Sequence, residues 1–333
     1  MAGPLEGVKV VELGVWVAGP AAGGILADWG ADVVKIEPPA GDPARMFGRM
    51  LGIEDGSSPP FELDNRGKRS IVLDVTTAQG RVTARELLSG ADVFITNVRP
   101  SALARMGLDF AAVASDNPAL IYGLITGYGE SGPDSDRAAF DVAAFWARSG
   151  LAHLLTRPGD TPPFQRGGMG DHMAGMTLAG AVCAALVARG RTGKGQMVST
   201  SLYRQGAYTV SFDLNTFLMT GNRAVNSREL IAELDEIFAT KPLAEWAEIF
   251  AGEPDFFWSP INSLEDVMGD EQFHAAGGIV NVPDGEGGVP MVASPADFHG
   301  TPWQPRSAAP QLGQQTAEVL TELAERQRTN RST

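Results

Sequence analysis

The sequence predicts an α/β protein whose large domain is built on a Rossmann-like parallel sheet. Three observations carry this. Residues 8–36 read as strand, glycine-rich loop, helix and strand in immediate succession. Such a unit lays two neighbouring strands parallel. Apolar strand-like runs then recur up to about residue 202, separated by helical or loop segments. From Asn226 onward the pattern changes to short amphipathic helices and Gly/Pro-rich chain.

In order, residues 8–13 form the first buried strand, and the loop from Gly14 to Gly19 follows. Pro20 sits where a helix could begin, and residues 21–29 continue it. Gly30 stops that helix before the strand at 31–36. Further strands are read at 70–75, 92–96, 120–126 and 197–202, with a helix over 79–88. Residues 171–189 read as a long buried helix, rich in Ala, Gly and Met, with small residues where neighbours pack closely. A helix runs on through Leu218. Helices at 227–239 and 243–250, extended chain over 277–310 and a closing helix over 316–326 complete the chain, with fraying expected over 329–333.

Composition narrows the function. The formal net charge is −14, from 26 Lys and Arg against 40 Asp and Glu. That argues against nucleic acid or an anionic membrane as partner, because both need a basic surface. The single Cys183 excludes an intrachain disulfide framework and a multi-cysteine zinc site. The four histidines lack metal-ligand spacing, so no metal is expected. Cys183 itself lies among Ala and Val and reads as core. No secretory signal and no apolar run of about 18 residues is read, so a cytoplasmic enzyme is expected.

The first loop lacks the G-x-G-x-x-G pattern, because Val17 and Ala18 occupy its middle, and a nicotinamide cofactor is poorly supported. A loop at the carboxyl end of the first strand is nonetheless a preferred ligand position. Residues 65–69 (NRGKR) place a basic cluster before a strand, and Arg45, Arg99 and Arg105 add cations near other strand ends. These suit a phosphorylated ligand, or simply a solvated turn. Residues 167–171 (GGMGD) are the most informative stretch: three glycines allow close approach of backbone to a ligand, and Asp171 follows at a helix start. Asp is also a favoured N-cap, which the residues alone favour. A carboxylate there can equally be a nucleophile, with backbone N–H groups near the helix start to hold an oxyanion.

Together these stretches resemble the family III CoA-transferases, the group that includes formyl-CoA transferase, carnitine CoA-transferases and α-methylacyl-CoA racemase. The matching pieces are PLEGVKVVEL (4–13), AGP (18–20), LADWGADVVKIE (26–37), GD (41–42), NRGKRS (65–70), NVRP (97–100), GYGESGP (127–133), GDH (170–172), RTGKGQ (191–196) and APQLG (309–313). The resemblance implies transfer of CoA from an acyl-CoA to a carboxylic acid through an aspartyl anhydride and an aspartyl-CoA thioester, with Asp171 as nucleophile. Asp141 matches an acidic site near the nucleophile. Val17 and Ala18 match positions lining the thioester end of CoA; Lys68, Arg69, Asn97, Arg99, Arg105 and Met106 match positions around its body. CoA is then substrate and product, with no tightly bound cofactor. An interlocked homodimer, and a C-terminal segment returning to the large domain, are also implied.

Two alternatives stand beside this reading. One is a 2-methylacyl-CoA racemase: the racemase members carry His where this chain has Phe140, which cannot move a proton, but His153 or His172 could take its place in space. The other is a non-catalytic Rossmann-like nucleotide-binding module. The chain also departs from the family. Where members continue into a small domain of several dozen residues, Gly221 runs at once into residues resembling that domain's far side. The expected organisation is a large domain over 1–221, a shortened small-domain remnant over 222–290 and a returning segment over 291–333. The remnant is expected to be loosely packed.

Overall fold

A computed structural model describes residues 3–157, 159–222, 228–253, 257–285 and 287–332. Six strands form one parallel sheet: β1 (Lys9–Leu13), β2 (Asp32–Glu37), β3 (Arg69–Val72), β4 (Val93–Thr96), β5 (Ile121–Thr126) and β6 (Gln196–Ser201). Their order is β3-β2-β1-β4-β5-β6, with pairings such as Val10 to Val33 and to Val93. The order in which successive strands are added reverses between β1 and β4, so the crevice beyond their carboxyl ends is the expected ligand position.

Helices flank both faces. In chain order they are α1 (Ala18–Asp28), α2 (Phe47–Met50), α3 (Pro59–Asn65), α4 (Ala78–Leu88), α5 (Pro100–Met106), α6 (Phe110–Asp116), α7 (Leu151–Leu155), α8 (Met169–Thr192) and α9 (Leu202–Thr209). The strands alternate sides with period two. Val10, Val33, Val93, Ile95, Ile121 and Ile125 join one core with Ala22 and Leu26 of α1 and Leu178 and Val182 of α8. Val11, Val34, Phe94, Tyr122 and Leu124 join a second core with Ala84, Leu88, Leu103 and Val113.

Small residues let α1 and α8 approach closely. A Cβ on Gly175 would lie 2.8 Å from Ala21 Cβ and 3.0 Å from the Ala22 nitrogen, so only glycine fits that crossing. By length and composition α8 could cross a membrane, with a mean hydropathy of 1.5. This corrects the expectation that no stretch has that composition. One face of it serves the core, where Ala174, Leu178, Ala179 and Val182 are buried, while Met176 and Val187 are exposed.

Contacts divide the chain into two compact units, residues 1–210 with 280–333, and residues 211–279. The sequence drew its line after Gly221; contacts instead group α10 (Ser211–Thr220) with the second unit. Residues 223–227, at the expected junction, lie outside the described residues. The second unit continues with α11 (Arg228–Phe238), α12 (Leu243–Ala251), α13 (Leu264–Gly269) and α14 (Glu271–Ala275). An aromatic group of Phe238, Trp246, Phe250 and Trp258 packs within it, with neighbouring ring centroids 5.3–5.5 Å apart. No described residue of this unit is buried. It therefore has little core of its own.

The first unit is completed by the hairpin β7 (Ile279–Asp284) and β8 (Gly287–Val292) and by α15 (Thr316–Ser332). The Gln315 backbone N–H donates to the Ser70 carbonyl at 2.9 Å, and Val319 enters the second core. The C-terminal segment thus docks on β3, and α15 is described through Ser332.

Candidate active site

The loop after β1 is held by side chains that imitate backbone. Asn97 accepts from the Val15 N–H at 3.0 Å and donates to the Val15 carbonyl at 2.8 Å. The Trp16 N–H donates to Asp42 at 3.0 Å. Trp16 is left with φ of 65°, the only non-glycine residue at positive φ among those described. Such strain persists only where surrounding bonds over-determine it. The Trp16 ring packs 5.5 Å from Phe47 and 5.7 Å from Phe140, centroid to centroid.

Beneath this loop lies a buried ionic cluster. Lys35 is 2.8 Å from Glu12 and 2.9 Å from Asp42, and Lys68 is 2.7 Å from Glu12. Burial pushes the Glu12 carboxyl up, but the two lysines outweigh it and hold it below its usual value. Lys68 also donates to the Pro20 carbonyl and to Asn65. Its ammonium is thus fully committed inside the fold, which corrects the expectation that it faces the CoA body.

Arg69 departs from the expectation for a different reason. It pairs with Asp32 at 2.7 Å and with Glu318 and Glu322, beside a groove at the amino ends of β1 to β3. That is the opposite end of the sheet from the Trp16 loop. The basic cluster read at residues 65–69 is therefore spent on structure. Arg66 likewise pairs with Asp28 at 2.7 Å.

Other predicted contacts do converge. A cavity of about 430 Å³ opens beyond the carboxyl ends of β4 and β5, lined by Trp16, Asn97, Arg99, Thr126, Arg137 and Phe140 among others. Val17 and Ala18, both buried, open α1 beside it. Arg105 is exposed in the last turn of α5, where Asp136 feels the charge of both Arg99 and Arg105. Met106 is half-buried and packs on the second core.

Asp171 stands in the first turn of α8, two residues past Met169, where the helix begins. The cap itself is Gly168, at φ 78°, and no side chain caps the helix. Asp171 is therefore not the N-cap that its residue type favours. Its carboxyl is raised from 3.8 to about 7, first by burial and then by Asp141, with Asp64 adding and His172 opposing. Asp141, buried before a π-helical turn at Val142–Ala147, accepts from Gln165 Nε2 at 2.7 Å and from the Gly170 N–H at 3.2 Å. One N–H of the helix start thus serves Asp141 and not an oxyanion.

Four participants escaped the sequence reading. Gln165 is 4% exposed, and its Oε1 has no partner among the described residues. Asp64 is 3.0 Å from His172. Trp16 and Arg137 line the cavity. Positive φ at Trp16 and the burial of Asp64 and Gln165 leave no local sequence signal. Among the described residues no group of acids, histidines or cysteines could hold a metal ion.

The family model of CoA-transferase family III matches residues 5–225 and 216–316. The chain belongs to that family. It is 40% identical over 230 residues to (R)-2-hydroxy-4-methylpentanoate CoA-transferase of Clostridioides difficile, covering 68% of this chain and 57% of that protein. It is 43% identical over 207 residues to cinnamoyl-CoA:phenyllactate CoA-transferase of Clostridium sporogenes, covering 61% of this chain and 50% of that one. The chain thus spans about half the length of these two relatives.

Succinate–glutarate CoA-transferase of Agrobacterium fabrum is 32% identical over 98% of this family III chain and 97% of its own. That alignment has 391 positions for a chain of 333, so roughly 65 positions have no counterpart here. The two stretches matched by the family model meet at residues 216–225, where the sequence placed the contraction. Among solved structures, a CAIB/BAIF family protein from Brucella suis shares the fold, with TM-score 0.84 and 28% identity over 97% of this chain and all of that one.

Proposed function

We propose that this family III chain transfers CoA from an acyl-CoA to a carboxylic acid, with Asp171 as the covalent nucleophile. The observation that carries this is a half-buried carboxyl, raised to about 7, in the glycine-rich first turn of α8 beside a second carboxylate. The relatives' names support the reaction class.

In the proposed sequence an Asp171 oxygen attacks the thioester carbonyl carbon. The carbon–sulfur bond breaks and CoA thiolate leaves, giving a mixed anhydride. The thiolate attacks the Asp171 carbonyl carbon, releases the first acid and forms the aspartyl-CoA thioester. The acceptor carboxylate attacks that thioester, and thiolate returns to the acceptor's acyl carbon, restoring Asp171. No proton is consumed, and the thioester energy is conserved. Asp141, fixed by Gln165 and Gly170, disfavours a resting negative charge on Asp171 and so favours its covalent acyl forms. Asn97, Arg99, Val17 and Ala18 would hold CoA at the carboxyl ends of β1 and β4, with Arg105 and Met106 further out. No tightly bound cofactor is called for.

Racemisation through an enolate needs a base on each face of the α-carbon. Phe140, packed edge-on to Trp16, offers none. A homodimer is part of the proposal, supported by apolar side chains left open on the first unit: Met176, Val187, Phe164 and Tyr208 are 46–87% exposed.

The deciding experiment is hydroxylamine trapping. Enzyme incubated with an acyl-CoA and hydroxylamine should lose activity and carry a hydroxamate at Asp171. Full turnover by Asp171→Ala would overturn the assignment. Acceptor screening begins with 2-hydroxy acids, since relatives at 40 and 43% identity are named for 2-hydroxy-4-methylpentanoate and phenyllactate.

A further inference from the structure

We infer that His172, clamped by Asp64, is a positioning residue that sets the ionisation of Asp171. The inference rests on Asp171 being the nucleophile. Asp64 closes α3, is 4% exposed, and holds His172 Nε2 at 3.0 Å across 108 residues of chain. The far side of the imidazole lies on Gly168: a Cβ there would be 3.3 Å from His172 Cε1 and 3.4 Å from Nδ1. A side chain 45% exposed would ordinarily sample solvent, but this one is fixed at two points.

Charge balance gives the clamp its meaning. Asp171 feels two carboxylates, Asp141 from the segment before the π-helical turn and Asp64 from α3. Against them His172 is the one cation acting on Asp171 among the described residues. Nearby cations are committed elsewhere: Arg66 to Asp28, which line the same cavity as His172, and Lys68 to Glu12. The hydrogen bond to Asp64 raises the His172 pKa above its usual value, which keeps the cation in place towards neutrality. Attack by Asp171 on a thioester would build an oxyanion beside two carboxylates, Asp141 and Asp64, and the imidazolium offsets them. It also keeps Asp171 ionised, hence nucleophilic, at a pH where burial alone would protonate it.

The test reads Asp171 directly. Protein labelled with ¹³C at aspartate carboxyls is titrated between about pH 5 and about pH 9, and the Asp171 resonance is identified by its loss in Asp171→Asn. In His172→Gln the midpoint should climb by about one pH unit. His172→Lys, which restores a cation, should return it towards the wild-type value. An unchanged midpoint in His172→Gln overturns the inference. Should that variant not fold, the wild-type imidazole decides: its Cε1–H titration should carry a second inflection at the Asp171 midpoint, and a single inflection overturns the coupling. Hydroxylamine trapping separates this from the nucleophile assignment. Wild-type enzyme without a hydroxamate at Asp171 sinks the nucleophile but leaves the titration to judge His172. A hydroxamate with an unmoved midpoint sinks only the role of His172.

Discussion

Asp171→Asn should make the first unit more stable near pH 8 while abolishing transfer. The carboxyl is raised from 3.8 to about 7, a change of about three units. At about 1.4 kcal/mol per unit this is an upper bound of about 4 kcal/mol. Asp171 is only half-buried, so about 2 kcal/mol is the working figure after solvent screening. The direction follows from linkage. A carboxyl with a raised folded-state pKa is harmless while protonated in both states, and its contribution is lost as pH climbs through the folded value. The neutral amide avoids that loss. Thermal melts should therefore show Asp171→Asn above wild type by about 4–8 °C near pH 8. The gap should close below about pH 3, where the carboxyl is protonated in both the folded and the unfolded state. A gap independent of pH, or a variant less stable at pH 8, would refute the claim that Asp171 is held against its ionisation.

Three further outcomes follow from the same geometry. Gly168→Ala forces a side chain to φ 78° against the imidazole, and should cost about 1–2 kcal/mol in denaturant unfolding while disturbing the His172–Asp64 contact seen by NMR. Gln165→Met removes the amide that holds Asp141, and should lower kcat/KM by about 10- to 100-fold with a smaller change in KM. Limited proteolysis of intact protein should cut within residues 211–279 before the parallel sheet, because no described residue of that unit is buried; equal protection of both units would show that the contraction is well tolerated.

Much of the fold could be read from local pattern. Continuous apolar strands such as β1 and β2, punctuated by Gly30, announce a parallel sheet because both of its faces must be covered. The small residues of α8 announced close helix packing, and Gly175 against Ala21 of α1 is that contact. The break beyond Gly221 was legible because familiar pieces on either side of it came too close together. Short helices such as α3 and α5 were not legible, since seven residues carry too few turns to show a period.

For the site, the sequence by itself determined residue type and local backbone: an acid in a glycine-rich helix start, and a loop after β1 with no dinucleotide pattern. Only the tertiary structure decided what surrounds them. It buried Lys68 on Glu12 and turned Arg69 to the far end of the sheet, away from the Trp16 loop. It also brought Asp64, Asp141, Gln165 and His172 together around Asp171. The physical reason is that ionisation depends on solvent exclusion and on charges within a few ångströms, drawn here from residues as much as 108 positions apart in the chain.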